Sequence, residues 1–220
     1  MHYFRSASIK AVEIVQSTGM QVVCRLGGFH LLMNFLGAIG SIMAGFGLSE
    51  ALTHMMTGKA YAKAIRGHFL AESALMVLLM DHFFTDSSDT VDVADLKHVY
   101  TDLVTHSIQF NDCSMPGCIQ SLHDQLCAYK QELGDKHRTA RLWLQYMHYV
   151  GIVKQFLCAE RTQDWNLHLN AICSMLNLLA AAGHNNYTKS ARIYLQLMLD
   201  LPNSHPWLNQ QLTSGRHAVC

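Results

Sequence analysis

His137-Arg-Thr-Ala-Arg-Leu-Trp-Leu-Gln-Tyr-Met-His-Tyr-Val-Gly-Ile-Val-Lys-Gln-Phe-Leu-Cys-Ala-Glu-Arg161 decides the fold class. Arg141, Gln145, His148 and Gln155 fall on one narrow polar stripe at helical spacing. Leu142, Trp143, Tyr146, Met147, Val150, Val153, Phe156 and Leu157 cover the rest. A helix apolar round most of its circumference belongs at the centre of a bundle. Asp164 is placed to cap the next helix, whose stripe is Leu169, Ile172, Leu176 and Leu179. Gly183 ends that helix in the left-handed conformation. Asn185 or Asn186 starts another, with Tyr187, Ala191, Tyr194 and Met198 on one side and Pro202 as its stop. The last two helices form an αα-hairpin. The unit has no second copy, which argues against a solenoid.

Towards the N-terminus the same periodicity predicts a short helix over Ser6–Gln16 and an apolar helix over 29–46. A short helical turn follows at 48–57, then a long helix from Gly58-Lys59 to about Phe84. The apolar stripe of this last helix is Phe69, Leu70, Ala74, Val77 and Leu78. Met20-Gln-Val-Val-Cys-Arg-Leu26 is β-branched, short and closed by Gly27-Gly28, and it reads as a strand. Thr85–Thr90 is a polar loop, and a helix with acids in its first turns runs on to about Phe110. Asn111–Gly117 reads as a second loop, and helix 118–132 ends at Gly134. That second loop divides a first part, 1–110, from a C-terminal helical part, 118–213.

The composition excludes several classes. The chain has 220 residues, with 16 Lys+Arg balancing 16 Asp+Glu, and only 15% of residues are charged. Soluble domains carry about 25%. Disordered chains, polybasic nucleic-acid tails and highly acidic proteins do not look like this. Residues 81–112 hold seven acids and one base, but no run of like charge is long enough to mark a tail. Seven cysteines, an odd number, sit mostly among helical apolar residues. The first residues lack the cationic and apolar regions of a secretory signal. Free thiols in a reducing intracellular compartment, nuclear or cytoplasmic, are the expectation.

Leu26–Ser49 carries no formal charge over 24 residues. That length matches a membrane span, and Gly37, Ser41 and Gly45 make small-xxx-small steps. His30, Asn34 and the frequent glycines favour a helix buried by protein instead, with the small stripe admitting a close neighbour. A small membrane protein is therefore only the second alternative.

Four constellations have chemical content. Cys113, Cys118, His123 and Cys127 are the ligand types of a zinc knuckle, but the spacing is wrong and three of them fall on a helix. Arg25-Leu-Gly-Gly-Phe-His30 sits where a phosphate loop would, yet lacks the third glycine of a dinucleotide fingerprint and the Lys-Ser/Thr of a P-loop. It reads as a tight turn. Fourteen histidines do not cluster, and neither His-Glu-x-x-His nor Gly-x-Ser-x-Gly occurs. Glu160, Arg161 and Asp164, followed by Trp165 and His168, surround a helix break, where a cap and surface ion pairs are the ordinary reading.

Arg25-Leu-Gly-Gly-Phe-His-Leu-Leu-Met-Asn-Phe-Leu-Gly-Ala-Ile-Gly-Ser-Ile-Met-Ala-Gly-Phe-Gly-Leu48 resembles a multi-copy, mobile-element-associated family of uncharacterised proteins in animal genomes. Met56-Thr-Gly-Lys-Ala-Tyr-Ala-Lys-Ala-Ile-Arg-Gly-His68 is similar to its next block. Leu142–Val150, Ala159–Leu169 and Ala182–Gln196 follow in order. The resemblance implies a divergent, transposase-like origin and a shortened N-terminal α/β region. Relatives of this kind carry an acidic strand before the equivalent of Lys10, where this chain reads Tyr3-Phe-Arg-Ser-Ala-Ser8, and some carry Asp at the position of Gly28. A ribonuclease-H-like nuclease needs two or three carboxylates around two divalent cations. Glu160 alone does not supply them.

The expectation is a mainly α protein, a bundle of seven or eight helices with one short strand left from a truncated α/β region. Its function is that of a mobile-element-derived fragment without catalytic activity or cofactor. A helical protein-interaction scaffold is the alternative. Glu160, Arg161, Asp164, Lys189 and Arg192 would form at most a residual surface for weak, salt-sensitive nucleic-acid binding.

Overall fold

A computed structural model of the chain describes residues 2–19, 22–55, 61–86, 93–105 and 117–215. Eleven helices and no strand occur among the described residues: α1 (His2–Thr18), α2 (Gly28–Ile42), α3 (Leu48–Met55), α4 (Tyr61–Asp86), α5 (Val93–Val104), α6 (Gly117–Lys136), α7 (Arg138–Thr162), α8 (Trp165–Ala181), α9 (Asn185–Leu199), α10 (Leu201–Ser204) and α11 (Pro206–Thr213). The protein is mainly helical, as expected. The extra helices are short pieces, above all α10, which contains Pro202, and α11. That proline does not simply stop the chain. It opens α10 from its first turn, where its missing N–H costs nothing. The loop residues 111–116 and Cys113 lie outside the described residues, as do Met20, Gln21, 87–92 and 56–60.

The chain divides into two compact units. The first comprises residues 1–64 and 148–220, and the second 65–147. In the first, Leu31, Leu32, Phe35, Ala38 and Ile39 of α2 are buried, and α2 packs on α8. Val150, Val153, Phe156 and Ala159 of α7 are buried too, as are Ile172, Met175 and Leu179 of α8. The α8–α9 hairpin is as expected: Asp164 caps α8, accepting the Leu167 N–H at 2.9 Å, and Gly183 turns the chain with φ +77°.

Two expectations in this unit are corrected. Residues 22–27 form no strand. Valine and cysteine favour an extended backbone, but a strand needs a neighbour to pair with, and no second extended segment occurs among the described residues. The segment is a strap between α1 and α2. The apolar helix is also shorter than 29–46. Gly45 and Gly47 take φ of +80° and +83°, a conformation that only glycine adopts cheaply, and they break the apolar stretch. The 15 residues of α2 reach about 22 Å, short of the ~30 Å of hydrocarbon. No described helix is long and apolar enough to cross a membrane. Gly37 and Ser41 are exposed, so no described helix covers the small stripe; Ala38 and Ile39 lie on the buried face of α2.

In the second unit, α6 runs through Gly134 and ends at Lys136. Gly134 is buried under the first turn of α7, and its carbonyl accepts from Arg141 Nε at 2.9 Å. The stripe expected on α4 lies outward: Leu70, Val77 and Leu78 are 58%, 68% and 63% exposed. The buried side carries His68, Ala71, Glu72, Leu79 and Phe83. The inversion has a cause. His68 and Glu72 look like surface residues in sequence, but Tyr146 of α7 supplies His68 with a buried partner.

Candidate functional site

Two buried histidine–tyrosine pairs hold the polar chemistry of the interior, one in each unit. The first is built where α7 gives way to α8. Glu160 stands in the last turn of α7. The backbone then reverses through Gln163, which has φ +59° although it is not glycine, and Asp164 starts α8. One turn into α8, His168 faces back to Glu160, with Nδ1 2.5 Å from Oε1. Its other nitrogen, Nε2, lies 3.2 Å from the hydroxyl of Tyr194 on α9. A carboxylate only accepts, so Nδ1 donates to Glu160, and in the neutral imidazole Nε2 then accepts the Tyr194 O–H.

Aromatic rings close this chain of hydrogen bonds. Trp165 stacks on the His168 ring, with centroids 5.3 Å apart and planes 12° from parallel. Phe156 lies against the same imidazole at 5.5 Å. The Arg25 guanidinium, carried in by the strap, sits 5.6 Å over Trp165 as a cation–π contact. His168 is only 2% exposed. Burial pushes the Tyr194 phenol up to about 12; Arg25, which hydrogen-bonds it, opposes that rise, and the charge of Glu160 adds to it. The phenol is therefore a fixed hydrogen-bond donor at neutral pH.

Gly28 belongs to this corner. A Cβ there would stand 3.0 Å from Phe156 Cζ and 3.8 Å from Glu160 Oε2. The first turn of α2 thus closes on α7 at a distance that a side chain would have to push apart. This is the packing reason for the glycine.

In the second unit His68 Nδ1 lies 3.0 Å from the Tyr146 hydroxyl, and Trp143 meets that tyrosine edge-on at 5.7 Å. Burial lowers the His68 pKa and raises that of Tyr146, to which the nearby Glu72 charge adds. This pair is a neutral core contact.

Of the residues singled out from sequence, Glu160 joins His168 in the relay, and Asp164 uses its carboxylate on the cap. Arg161, Lys189 and Arg192 are exposed. On α6, Cys127 Sγ lies 3.5 Å from His123 Nε2, one turn away, while Cys118 is five residues before His123 and on another face of the helix. No group of three or more His, Cys, Asp or Glu side chains among the described residues is placed to hold a metal ion. Sequence reasoning missed Tyr194 and Arg25 as members of the relay. The signal for Tyr194 was its position on a buried stripe, since a buried phenol finds a partner.

The relay offers a general base in composition but not in access. Both nitrogens of His168 are engaged, and its ring is buried against Trp165 and Phe156. What it does is tie α7, α8 and α9 together and anchor the strap through Arg25.

No curated protein and no solved structure matches the chain. A family model matches residues 3–220, and the chain belongs to that family, described as a domain of unknown function (DUF8702).

Proposed function

We propose that the chain is a helical module of mobile-element descent that acts by binding and not by catalysis. One observation carries this reading: the constellation whose composition suits acid–base work, Glu160–His168–Tyr194, is sealed by Trp165 and Phe156, with both histidine nitrogens engaged. A general base needs reach to the proton it removes, and this one faces its own fold. The resemblance of its ordered blocks to mobile-element-associated proteins supports the descent. The test is metal-dependent nicking of supercoiled plasmid by the purified chain, with Glu160→Gln beside it. No nicking is expected from either protein. Robust nicking with Mg²⁺ or Mn²⁺ that vanishes in Glu160→Gln would overturn the reading.

Exposed Arg161, Lys189 and Arg192 favour a nucleic acid as the bound class over a protein scaffold. Contacts to about three phosphates give binding that is weak and fades with salt. Duplex binding lost on Lys189→Ala with Arg192→Ala separates this from a protein partner, whose binding would outlast both changes.

A further inference from the structure

The second unit leaves one face of α4 uncovered among the described residues. His68, Ala71, Glu72, Leu79 and Phe83 are on its buried side. On the opposite side Arg66, Leu70, Ser73, Ala74, Val77 and Asp81 are all exposed. At helical spacing these six fall within about 100° of the circumference, one continuous stripe. Leu70 and Val77 are 58% and 68% exposed, and Leu78 beside them is 63% exposed. Exposed apolar side chains scattered singly are ordinary, but a contiguous patch with polar ends marks an interaction surface. Neither Arg66 nor Asp81 makes an ion pair among the described residues.

The stripe is its own complement. Laid against a reversed copy of itself, Arg66 meets Asp81, Leu70 meets Val77, and Ser73 meets Ala74, all symmetric about the point between Ser73 and Ala74. Leu78 and the half-buried Phe69 match in the same register on the flanks. We propose that this face is a contact between two copies of the chain, their α4 helices antiparallel about a twofold axis through that point. A twofold contact requires that where residue i meets j, j also meets i. This register meets the rule with opposite charges at both ends and apolar pairs between them. Ser73 and Ala74, the smallest side chains of the stripe, lie at the crossing and admit helix axes about 8 Å apart. Arg66 and Asp81 lie about 11 Å to either side of it along the helix. At a crossing angle of about 20° the axes are still only about 9 Å apart there, so the charges stay within reach of each other. A parallel pairing would set Arg66 against Arg66 and Asp81 against Asp81. Charge complementarity therefore names the occupant, a second copy in reverse. One helix from each copy makes a contact at the small end of specific interfaces, below about 1,200 Å², and a dissociation constant of about 10–100 µM is expected.

The experiment is sedimentation equilibrium of the full chain, with reductant to keep its thiols apart, from about 5 to about 500 µM so as to bracket that constant. A monomer–dimer equilibrium is expected. Arg66→Glu and Asp81→Arg each turn two attractive pairs into two repulsive ones, and each alone is expected to weaken the dimer about tenfold. Mixed in equal amounts, the two variants are expected to regain native association, because both end contacts of the mixed dimer again join opposite charges. Val77→Glu sets a carboxylate against Leu70 of the second copy and is expected to leave a monomer over the whole range. Circular dichroism verifies that it keeps its helix content; Leu70→Glu replaces it otherwise. A native chain that is monomeric throughout, which would give the stripe to some other occupant, would overturn the proposal. So would a dimer untouched by the Glu variant, or a mixture that associates no better than either charge variant alone.

Discussion

Replacing Tyr194 by Phe removes one oxygen from the interior and leaves the ring. The phenol is fully buried and its hydroxyl serves His168 Nε2 at 3.2 Å. Without it, a nitrogen on a ring that is 2% exposed keeps its lone pair but has no donor and no water. Stranding a buried acceptor costs about 1–3 kcal/mol. For a chain of this length each kcal/mol shifts Tm by about 2–4 °C, so the loss is roughly 2–12 °C. The second arm is His168→Phe, which can stack on Trp165 but leaves the Tyr194 hydroxyl without its imidazole. The double variant strands neither atom. Its loss is therefore expected to fall short of the sum of the singles by about 1–2 kcal/mol, within the range found for contacting residues. Urea unfolding followed by fluorescence provides the assay, with Trp143 and Trp207 changed to Phe so that Trp165 alone reports. Strict additivity, or a Tyr194→Phe loss within error of zero, would refute the relay as a structural clasp.

Three further outcomes are expected. Burial lowers the His68 pKa in the folded chain, so below about 6.5 the unfolded chain binds the proton more readily than the folded one. The His68 contribution is complete above that pH and is lost as pH falls towards the folded value. Thermal melts at pH 7.5 and 5.5 should therefore differ more for the native chain than for His68→Gln. Gln163→Gly should stabilise by about 0.5–1 kcal/mol: relief of a left-handed non-glycine residue at φ +59° gives about 1–2 kcal/mol, and the freer unfolded chain takes back about 0.4–1. A lower urea midpoint in that variant would show that Gln163 is held by contacts worth more than its strain. Elemental analysis is expected to find no stoichiometric zinc; zinc lost on changing Cys118 and Cys127 would contradict this.

The α7–α8–α9 core could be read from the chain because its signals are local. Asp164 and Gly183 mark helix ends through atoms three or four residues away, and the stripe on α7 repeats within a few turns. What was illegible depended on distant partners. Val22 and Val23 favour an extended backbone, but whether that becomes a strand is decided by a neighbour elsewhere in the chain. The buried side of α4 was misread because His68 and Glu72 look polar until Tyr146, 78 residues beyond His68, is placed against the histidine. In the same way Glu160 and His168 stand out at one helix break, whereas Tyr194 comes from another helix and Arg25 from the other end of the chain. Gly28 was noticed as a missing acid; the structure supplies a packing reason, the Phe156 ring.

The sealed imidazole also makes the protein its own stopwatch. The Nδ1 proton of His168 is bound to a carboxylate under two aromatic lids. It can be traded for deuterium only when α8 parts from the end of α7. Histidine ring N–H protons in water vanish from a proton spectrum because they exchange too fast. This one should persist as a separate downfield line, and its decay in D₂O gives the free energy of that opening directly. A single resonance thus times how often the helical core breathes, with no label and no denaturant.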